Sequence, residues 1–381
     1  MAQDKDQKTL NVPPLRFPGF TDEWEQTSLG DICTIVGGGT PDTTNNTLWN
    51  GNIQWFTPSE IGKQKYVTNS IRQISQKGLD SSSAKLLPES SILLSSRATI
   101  GECSINTIEC TTNQGFQSLI PKPDIFTEFL YYLIQTKRKD LLRNSCGSTF
   151  QEISANEVRK IKVQIPSITE QKKIAVLLAY IDERIATQNK IIEDLKKLKS
   201  AIYENIFNSL KGEQFHLAEV ADIIKGKQVN GIFLTETGDY YVMNGGVEPS
   251  GYYHTFNVPA DTISISEGGN SCGYIQWNSV PFWSGGHCYT LNIKEESVEN
   301  KYLYHFLKWS EPEIMKLRIG SGLPNIQKKD LERVSIIIPT NSKQKEIIDL
   351  VDAIDSKIDI ECSISLLLYH QKTYLLTKLF I

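Results

Sequence analysis

The sequence predicts a mixed α/β (α+β) protein built from one frame used twice. In each copy a globular part is followed by a long helix, and the two helices pair as an antiparallel coiled coil. Three observations predict this: an internal repeat, two long stretches free of proline and glycine, and short apolar strands beside amphipathic helices in both copies.

The repeat is read directly from the residues. PSITEQKKIAVLLAYIDERI at 166–185 matches PTNSKQKEIIDLVDAIDSKI at 339–358. Pro166 falls on Pro339, Gln171 on Gln344, Ile181–Asp182 on Ile354–Asp355 and Ile185 on Ile358, all 173 residues apart. Upstream, Leu130 falls on Leu303, Gly147–Ser148 on Gly320–Ser321 and Ile153 on Ile326 at the same offset. The copies begin with Leu29–Gly30–Asp31–Ile32 and Leu217–Ala218–Glu219–Val220, an offset of 188, and LPESSILLSS (87–96) resembles VPADTISISE (258–267) at an offset of 171. Insertions of different length separate the matched blocks. The middles, GGGTPDTTNNTLWNGNIQWFTPSEI (37–61) and GDYYVMNGGVEPSGYYH (238–254), do not match. Similar frames carrying dissimilar loops suit an asymmetric ligand. The expected division is 1–168 for an extension and the first globular part, 169–211 for the first helix, 212–341 for the second globular part and 342–381 for the second helix. Globular parts of this size can each bury a core.

From Thr169 to Leu210 there is neither proline nor glycine, with Pro166 before the stretch and Gly212 after it, as helix entry and exit signals require. Ile174, Leu177, Ile181, Ile185, Ile192, Leu195, Ile202 and Ile206 mark the apolar face. From Ile181, counting Gln188 and Lys199 as seam positions, the spacing alternates 4 and 3, the 3.5-residue period of a coiled coil. Ile347, Leu350, Ile354, Ile358, Leu368, Leu375 and Leu379 mark the second helix, whose seam also takes in Glu361, Ser365 and Lys372. Pairing of the two helices within the chain is favoured over pairing of each with another protein. Before each helix, 126–149 and 298–322 read as amphipathic helices, and VRKIKVQIP (158–166) and LERVSIIIP (331–339) as strands.

Composition narrows the function. The chain has 40 basic and 44 acidic residues and a net charge of -4, which does not describe a strongly basic, stand-alone nucleic-acid binder. Residues 212–341 hold 10 basic and 15 acidic residues, so tight DNA binding by that part alone would be surprising. A specificity module whose partners hold the backbone tolerates this balance. Seven scattered cysteines without a Cys-x-x-Cys point away from a zinc ribbon or a disulfide framework and fit a reducing compartment. No signal-peptide segment and no run of 18 apolar residues is seen, so the cytoplasm is expected.

Catalytic motifs are missing. GGGT (37–40) and GGNSCG (268–273) lack the lysine and hydroxyl of a phosphate-binding loop. There is no Gly-x-Gly-x-x-Gly after a clear strand, no His-Glu-x-x-His and no Asn-Pro-Pro-Tyr/Phe. No catalytic, cofactor or metal residue is assigned. For Asp182 and Asp355 a structural role is expected, facing a lysine or a helix end. Candidate DNA contacts lie in polar loops: Thr40, Asn45, Asn46, Trp49, Ser95, Ser96 and Arg97 in the first part, with Lys63, Lys65, Arg72, Lys77 and Lys85 as phosphate partners. In the second part they are Lys225, Lys227, Gln228, Asn244, Asn270 and Lys328. Arg97 is the strongest because it follows the strand SSILLSS, and its counterpart by register is Gly268. That substitution would make reading specific to one half.

RFPGF (16–20), GGGTP…LWNGNIQW (37–55), PSITEQKKIAVLLAYIDERI (166–185), GGNSCGYI (268–275), FW (282–283) and GSGLPNIQKKDL (320–331) together resemble the DNA-specificity subunits of type I restriction–modification systems, over nearly the whole chain. The resemblance implies two target-recognition domains, each reading one half of a bipartite, asymmetric double-stranded DNA target, with helices that fix the unread spacer. It implies a non-catalytic subunit with two adenine-N6 methyltransferase (modification) subunits and two restriction/translocase subunits as partners. S-adenosylmethionine, ATP and magnesium would belong to those partners. The second tail departs from the pattern: Lys343 stands where the first has Glu170, and Ile348 where it has Ala175. Two other readings are a bivalent protein scaffold that never touches DNA and a stand-alone DNA-modifying enzyme.

Overall fold

The computed structural model describes residues 10–147, 151–320 and 322–381. The chain divides into two compact units, one of residues up to Thr187 with Ser365–Ile381, the other of Gln188–Ile364. Each unit therefore owns a globular part and a portion of each long helix, Ile168–Asn208 and Asn341–Leu379.

In the first unit a five-stranded sheet runs in the order Cys33–Gly37, Gln117–Pro121, Ile92–Leu94, Cys103–Asn106, Tyr66–Val67. A three-stranded sheet adds Arg72–Ile74, Trp49–Phe56 and Cys110–Thr112. In the second unit a four-stranded sheet runs Ala221–Lys225, Cys288–Ile293, Thr262–Ser266, Ile275–Asn278, the same order without the last strand. Registers agree as well: Cys33 faces Pro121, and its counterpart Ala221 faces Ile293. Ile92 and Leu94 belong to the main core, while Leu93 packs into a second cluster with Phe56 and Phe116. A strand covered on both faces reads as an unbroken apolar run, which is why ILL shows no alternation.

In each unit the first strand pairs with the last. Glu25–Ser28 lies antiparallel to Lys162–Ile165, and Glu213–His216 to Ser335–Ile338. The expected strand 158–166 is helical at its start, because Ser154 caps a short helix, Ala155–Lys160, by accepting from the Glu157 amide. Within the expected helix 126–149, whose last two residues lie outside the described ones, the stretch forms two helices, Thr127–Thr136 and Arg138–Arg143. Its counterpart is one helix, Asn300–Met315.

Each long helix starts on a buried glutamine. Gln171 Nε2 donates to the carbonyls of Asp124 and Pro166 at 3.2 and 3.0 Å, and Oε1 accepts from the Phe126 amide at 2.9 Å. Gln344 repeats this with Ser297 (2.8 Å), Pro339 (3.0 Å) and the Glu299 amide (2.9 Å). The first unit adds a strap. Arg16, from RFPGF, grips the buried Glu170 with two bonds of 2.8 and 2.9 Å, and Lys173 Nζ sits 5.0 Å from the Phe20 ring. Lys343, in the place of Glu170, is exposed and pairs with Glu346.

The long helices pair antiparallel. In the first unit Ile174, Ala175, Leu178, Ile181 and Ile185 share a core with Leu368, Leu375, Leu379 and Phe380, and Asp182 takes the Lys372 ammonium at 2.7 Å. In the second unit Asp355 takes Lys199 at 2.5 Å, the same pair with the helices exchanged. Gln188 there hydrogen-bonds Glu361, its own counterpart 173 residues on. Buried polar pairs of this kind fix register. Ile358 is buried, whereas Ile192, Leu195, Ile202, Ile206 and Ile354 are half-buried. Two expected seam positions need correction. Leu350 is 45% exposed and Val351 fully buried in its place, because a continuous helix carries Ile347 onto Val351, one turn away. Leu177 only packs against the core edge, while Leu178 is buried.

Replacing Gln171 or Gln344 by alanine strands one amide donor and two carbonyls. Each variant should destabilise its own unit by about 3 kcal/mol. Hydrogen exchange should show the loss at Phe126 or Glu299 respectively, with the other unit unchanged.

Candidate nucleic-acid interface

Four chain segments meet at one corner of each unit: the chain after the first sheet strand, the loop after the central strand, the loop before the last strand, and the segment leading to Ile153 or Ile326. In the first unit the Gly39 amide bonds Thr112 O (2.8 Å), the Ser96 amide bonds Gly115 O (2.8 Å), and the Ile153 amide bonds Ser96 O (3.1 Å). The second unit has Lys227 on Ser284 (2.8 Å), Glu267 on His287 (2.9 Å) and Ile326 on Glu267 (2.9 Å). Bridges Arg97–Glu152 and Gly268–Asn325 close both corners. Glycine is required where segments cross. A Cβ on Gly38 would lie 2.0 Å from Asn113 O, and one on Gly226 would lie 2.2 Å from Gly285 O.

The backbone is shared but the side chains are not. At the first corner Arg97 is exposed and its guanidinium meets the Glu152 carboxylate at 2.8 Å. Thr40 hydrogen-bonds Gln114 beside it on the neighbouring loops. At the second corner the residue aligned with Ser96 is Glu267, only 8% exposed. Its Oε1 accepts from Lys225 Nζ (2.6 Å) and from the Tyr289 hydroxyl (2.9 Å). Burial beside this carboxylate pushes the Tyr289 phenol well above its ordinary range, so it stays a donor. His287 is exposed, with Nδ1 3.6 Å from Glu267 Oε2 and its amide bonded to Asn244 Oδ1 at 3.0 Å. One frame thus presents an arginine, a carboxylate and an amide in one unit, and a histidine, a lysine and a buried carboxylate in the other.

The repetition of the frame is matched by the comparisons with known proteins. The family described as "Type I restriction modification DNA specificity domain" matches residues 21–197 and again 211–367. The chain belongs to this type I DNA-specificity family. It is 29% identical over 378 residues to the type I restriction enzyme MjaIX specificity subunit of Methanocaldococcus jannaschii, covering 88% of each chain. It is 24% identical over 358 residues to the EcoprrI specificity subunit of Escherichia coli, again covering 88% of each. A solved S subunit of a type I restriction–modification system from M. genitalium superposes with a TM-score of 0.63 at 18% identity, over 97% of this chain and 99% of that one. That likeness shows the shared fold.

Within this specificity-family frame the predicted contacts divide. Arg97 and Thr40 lie at the first corner, and Lys225, Lys227, Gln228 and Asn244 at the second. A Cβ on Gly286, next to His287, would lie 2.4 Å from Gln228 Oε1. Asn270 and Lys328 are exposed, the latter 3.9 Å from Glu332. Asn45 caps a short turn by accepting from the Thr47 amide at 3.1 Å, and Asn46 lies exposed on that turn. Lys63, Lys77 and Lys85 are exposed. Lys65 stands 4.7 Å over the Tyr132 ring, half-buried, and desolvation lowers its pKa. Arg72 stacks 3.5 Å over Trp49.

Three expectations are corrected. Ser95 and Ser96 have no exposed surface, since they extend a strand that is covered on both faces. Trp49 is 6% exposed; its indole donates to Asp42 O at 3.0 Å and packs edge-on to Trp55, so it supports Arg72 rather than meeting a ligand itself. Sequence reasoning missed Gln114, Glu152, Glu267 and His287. Gln114 and His287 lie in NQGF (113–116) and GGHC (285–288), which align only once the last strands are superposed, and nothing local marks Glu152 or Glu267.

His305, Asp352 and Asp355 lie close enough to suggest a metal site, but their ligand atoms are engaged. His305 Nε2 faces Asp352 at 2.9 Å, Nδ1 faces the Tyr203 hydroxyl at 3.0 Å, and both Asp355 oxygens take Lys199. The cluster packs the helix Asn300–Met315 against the long helices. Burial pushes the His305 pKa down to about 4 despite Asp352. The folded form therefore takes up its proton later than the unfolded chain. Stability of the second unit is full above pH 6.5 and falls as pH drops toward 4, by roughly 3 kcal/mol. Urea titrations across that range should show the slope in the wild type, and His305→Gln should flatten it.

Proposed function

We propose that this chain is the specificity subunit of a type I restriction–modification complex and reads a bipartite, asymmetric DNA target, one half with each unit. The observation that carries the reading is the repeated corner, identical in backbone and different in side chains, within a chain of the DNA-specificity family. Two equal corners would suit a symmetric site; an arginine corner and a histidine corner suit two different half-sites. Arginine makes bidentate contacts to guanine, and lysines meet phosphates. The chain acts without catalysis of its own. It directs two adenine-N6 methyltransferase subunits, and two ATP-dependent restriction subunits complete the assembly. S-adenosylmethionine, ATP and magnesium reside in those partners. No helix among the described residues is long and apolar enough to cross a membrane, and the cytoplasm, where DNA is available, is its place of action.

The net charge of -4 fits this division of labour. The phosphate backbone supplies most sequence-independent affinity, so a chain with little excess charge contributes specificity while its partners contribute hold. The long helices act as a ruler between the half-sites.

Co-expression with the genomically adjacent methyltransferase should give a complex of one chain and two methyltransferases. Adenine methylation mapped at single-base resolution should fall on one bipartite asymmetric motif. Inserting one heptad into each long helix adds about 10 Å, so the unread spacer should grow by about three base pairs at 3.4 Å each, with both half-sites unchanged. Absence of chain-dependent methylation would contradict the reading.

A further inference from the structure

We infer that His287 is a base-reading residue of the second half-site and that Glu267 sets which kind of base it reads; this rests on the DNA-reading function proposed above. Glu267 is buried, and its Oε2 accepts no hydrogen bond. His287 Nδ1 stands 3.6 Å from that oxygen, on an exposed imidazole. A buried acceptor aimed at an exposed ring awaits a small closure. The surroundings allow a close approach by a large ligand: Gly226, Gly245, Gly268 and Gly286 border the corner and add no side chains to it.

The proton arrangement follows from the partners. Glu267 Oε1 already holds the Lys225 ammonium and the Tyr289 hydroxyl. The carboxylate has its counter-charge, so the imidazole need only supply one N–H. With Nδ1–H directed at Oε2, Nε2 is left as a bare acceptor facing outward. In the major groove an acceptor pairs with an exocyclic amino group, N6 of adenine or N4 of cytosine, and is repelled by the O6 and N7 of guanine and the O4 of thymine. His287 thus selects an amino-bearing base. Its counterpart in the first unit is Gly115, and Arg97 at that corner offers donors instead. The two corners read opposite hydrogen-bond polarity.

Glu267→Gln tests this directly. Lys225 and Tyr289 are donors, so they hold the amide oxygen and turn the amide NH2 toward His287 Nδ1. That nitrogen must then accept, and the proton moves to Nε2. The outward atom changes from acceptor to donor without a change in shape.

The experiment maps adenine methylation by the full chain with its methyltransferase subunits on plasmid DNA carrying every single-base change in the motif. The wild type should require adenine or cytosine at one position of the half-site read by the second unit. His287→Ala should relax that position by about five-fold, as loss of one neutral hydrogen bond predicts, and leave the other positions and the other half-site intact. Glu267→Gln should shift the preference there toward guanine or thymine. An unchanged motif in His287→Ala, or an even loss across the half-site in Glu267→Gln, would overturn the inference. A wild type without a bipartite motif would instead overturn the proposed function. Retention of the other half-site shows that each variant is folded.

Discussion

A buried side-chain amide joins each globular part to its helix, and the rest of the architecture depends on that joint. Gln171 and Gln344 each satisfy two carbonyls and one amide where a short helix begins, a strand ends and a long helix starts. Groups buried there without a partner would be costly. The amide makes the direction in which each long helix leaves its unit a property of the fold. Pairing of the helices through Asp182–Lys372 and Asp355–Lys199 then follows a register already set at both starts. Among the described residues the strap from Arg16 to Glu170 reinforces the first joint only, and Lys343, in the place of Glu170, pairs with Glu346 instead.

The corners use the opposite strategy. Their backbone is held by main-chain hydrogen bonds and by glycines that leave no room for a side chain, so the residues they present can change without moving the frame. An arginine with a carboxylate behind it and a histidine with a carboxylate behind it are two versions of one device. In the first the acid pairs directly with the outward group at 2.8 Å, and in the second it stands 3.6 Å from it. Under the proposed function, specificity comes from the polarity of the hydrogen bonds offered, while affinity is left to charges elsewhere in the assembly.

Much of the frame was legible because its causes are local or periodic. The 173-residue repeat, the two helices, the equivalence of Asp182 with Asp355 and that of Arg97 with Gly268 all follow from spacing. Spacing left open whether those aspartates face a lysine or a helix end; the structure gives them Lys372 and Lys199. Heptad phase was ambiguous where Ile347, Ile348, Leu350 and Val351 crowd two faces, and the choice of Leu350 over Val351 went astray there. Ser95 and Ser96 looked like loop residues because small hydroxyls at a strand end resemble a turn. Only tertiary packing shows that the strand is covered on both faces. Glu267 and His287 were hidden for a different reason. They lie 20 residues apart in sequence and meet only when the central and last strands dock side by side.

The central claim is that the same corner faces DNA in both units. Placing a photo-crosslinking amino acid at Arg97 in one protein and at His287 in another, each assembled with its methyltransferase subunits on the methylated target, tests it most directly. The account predicts cross-links to single bases, at one position in each half-site and in different halves for the two proteins. Cross-links to the methyltransferase subunits, or to the unread spacer, would contradict it.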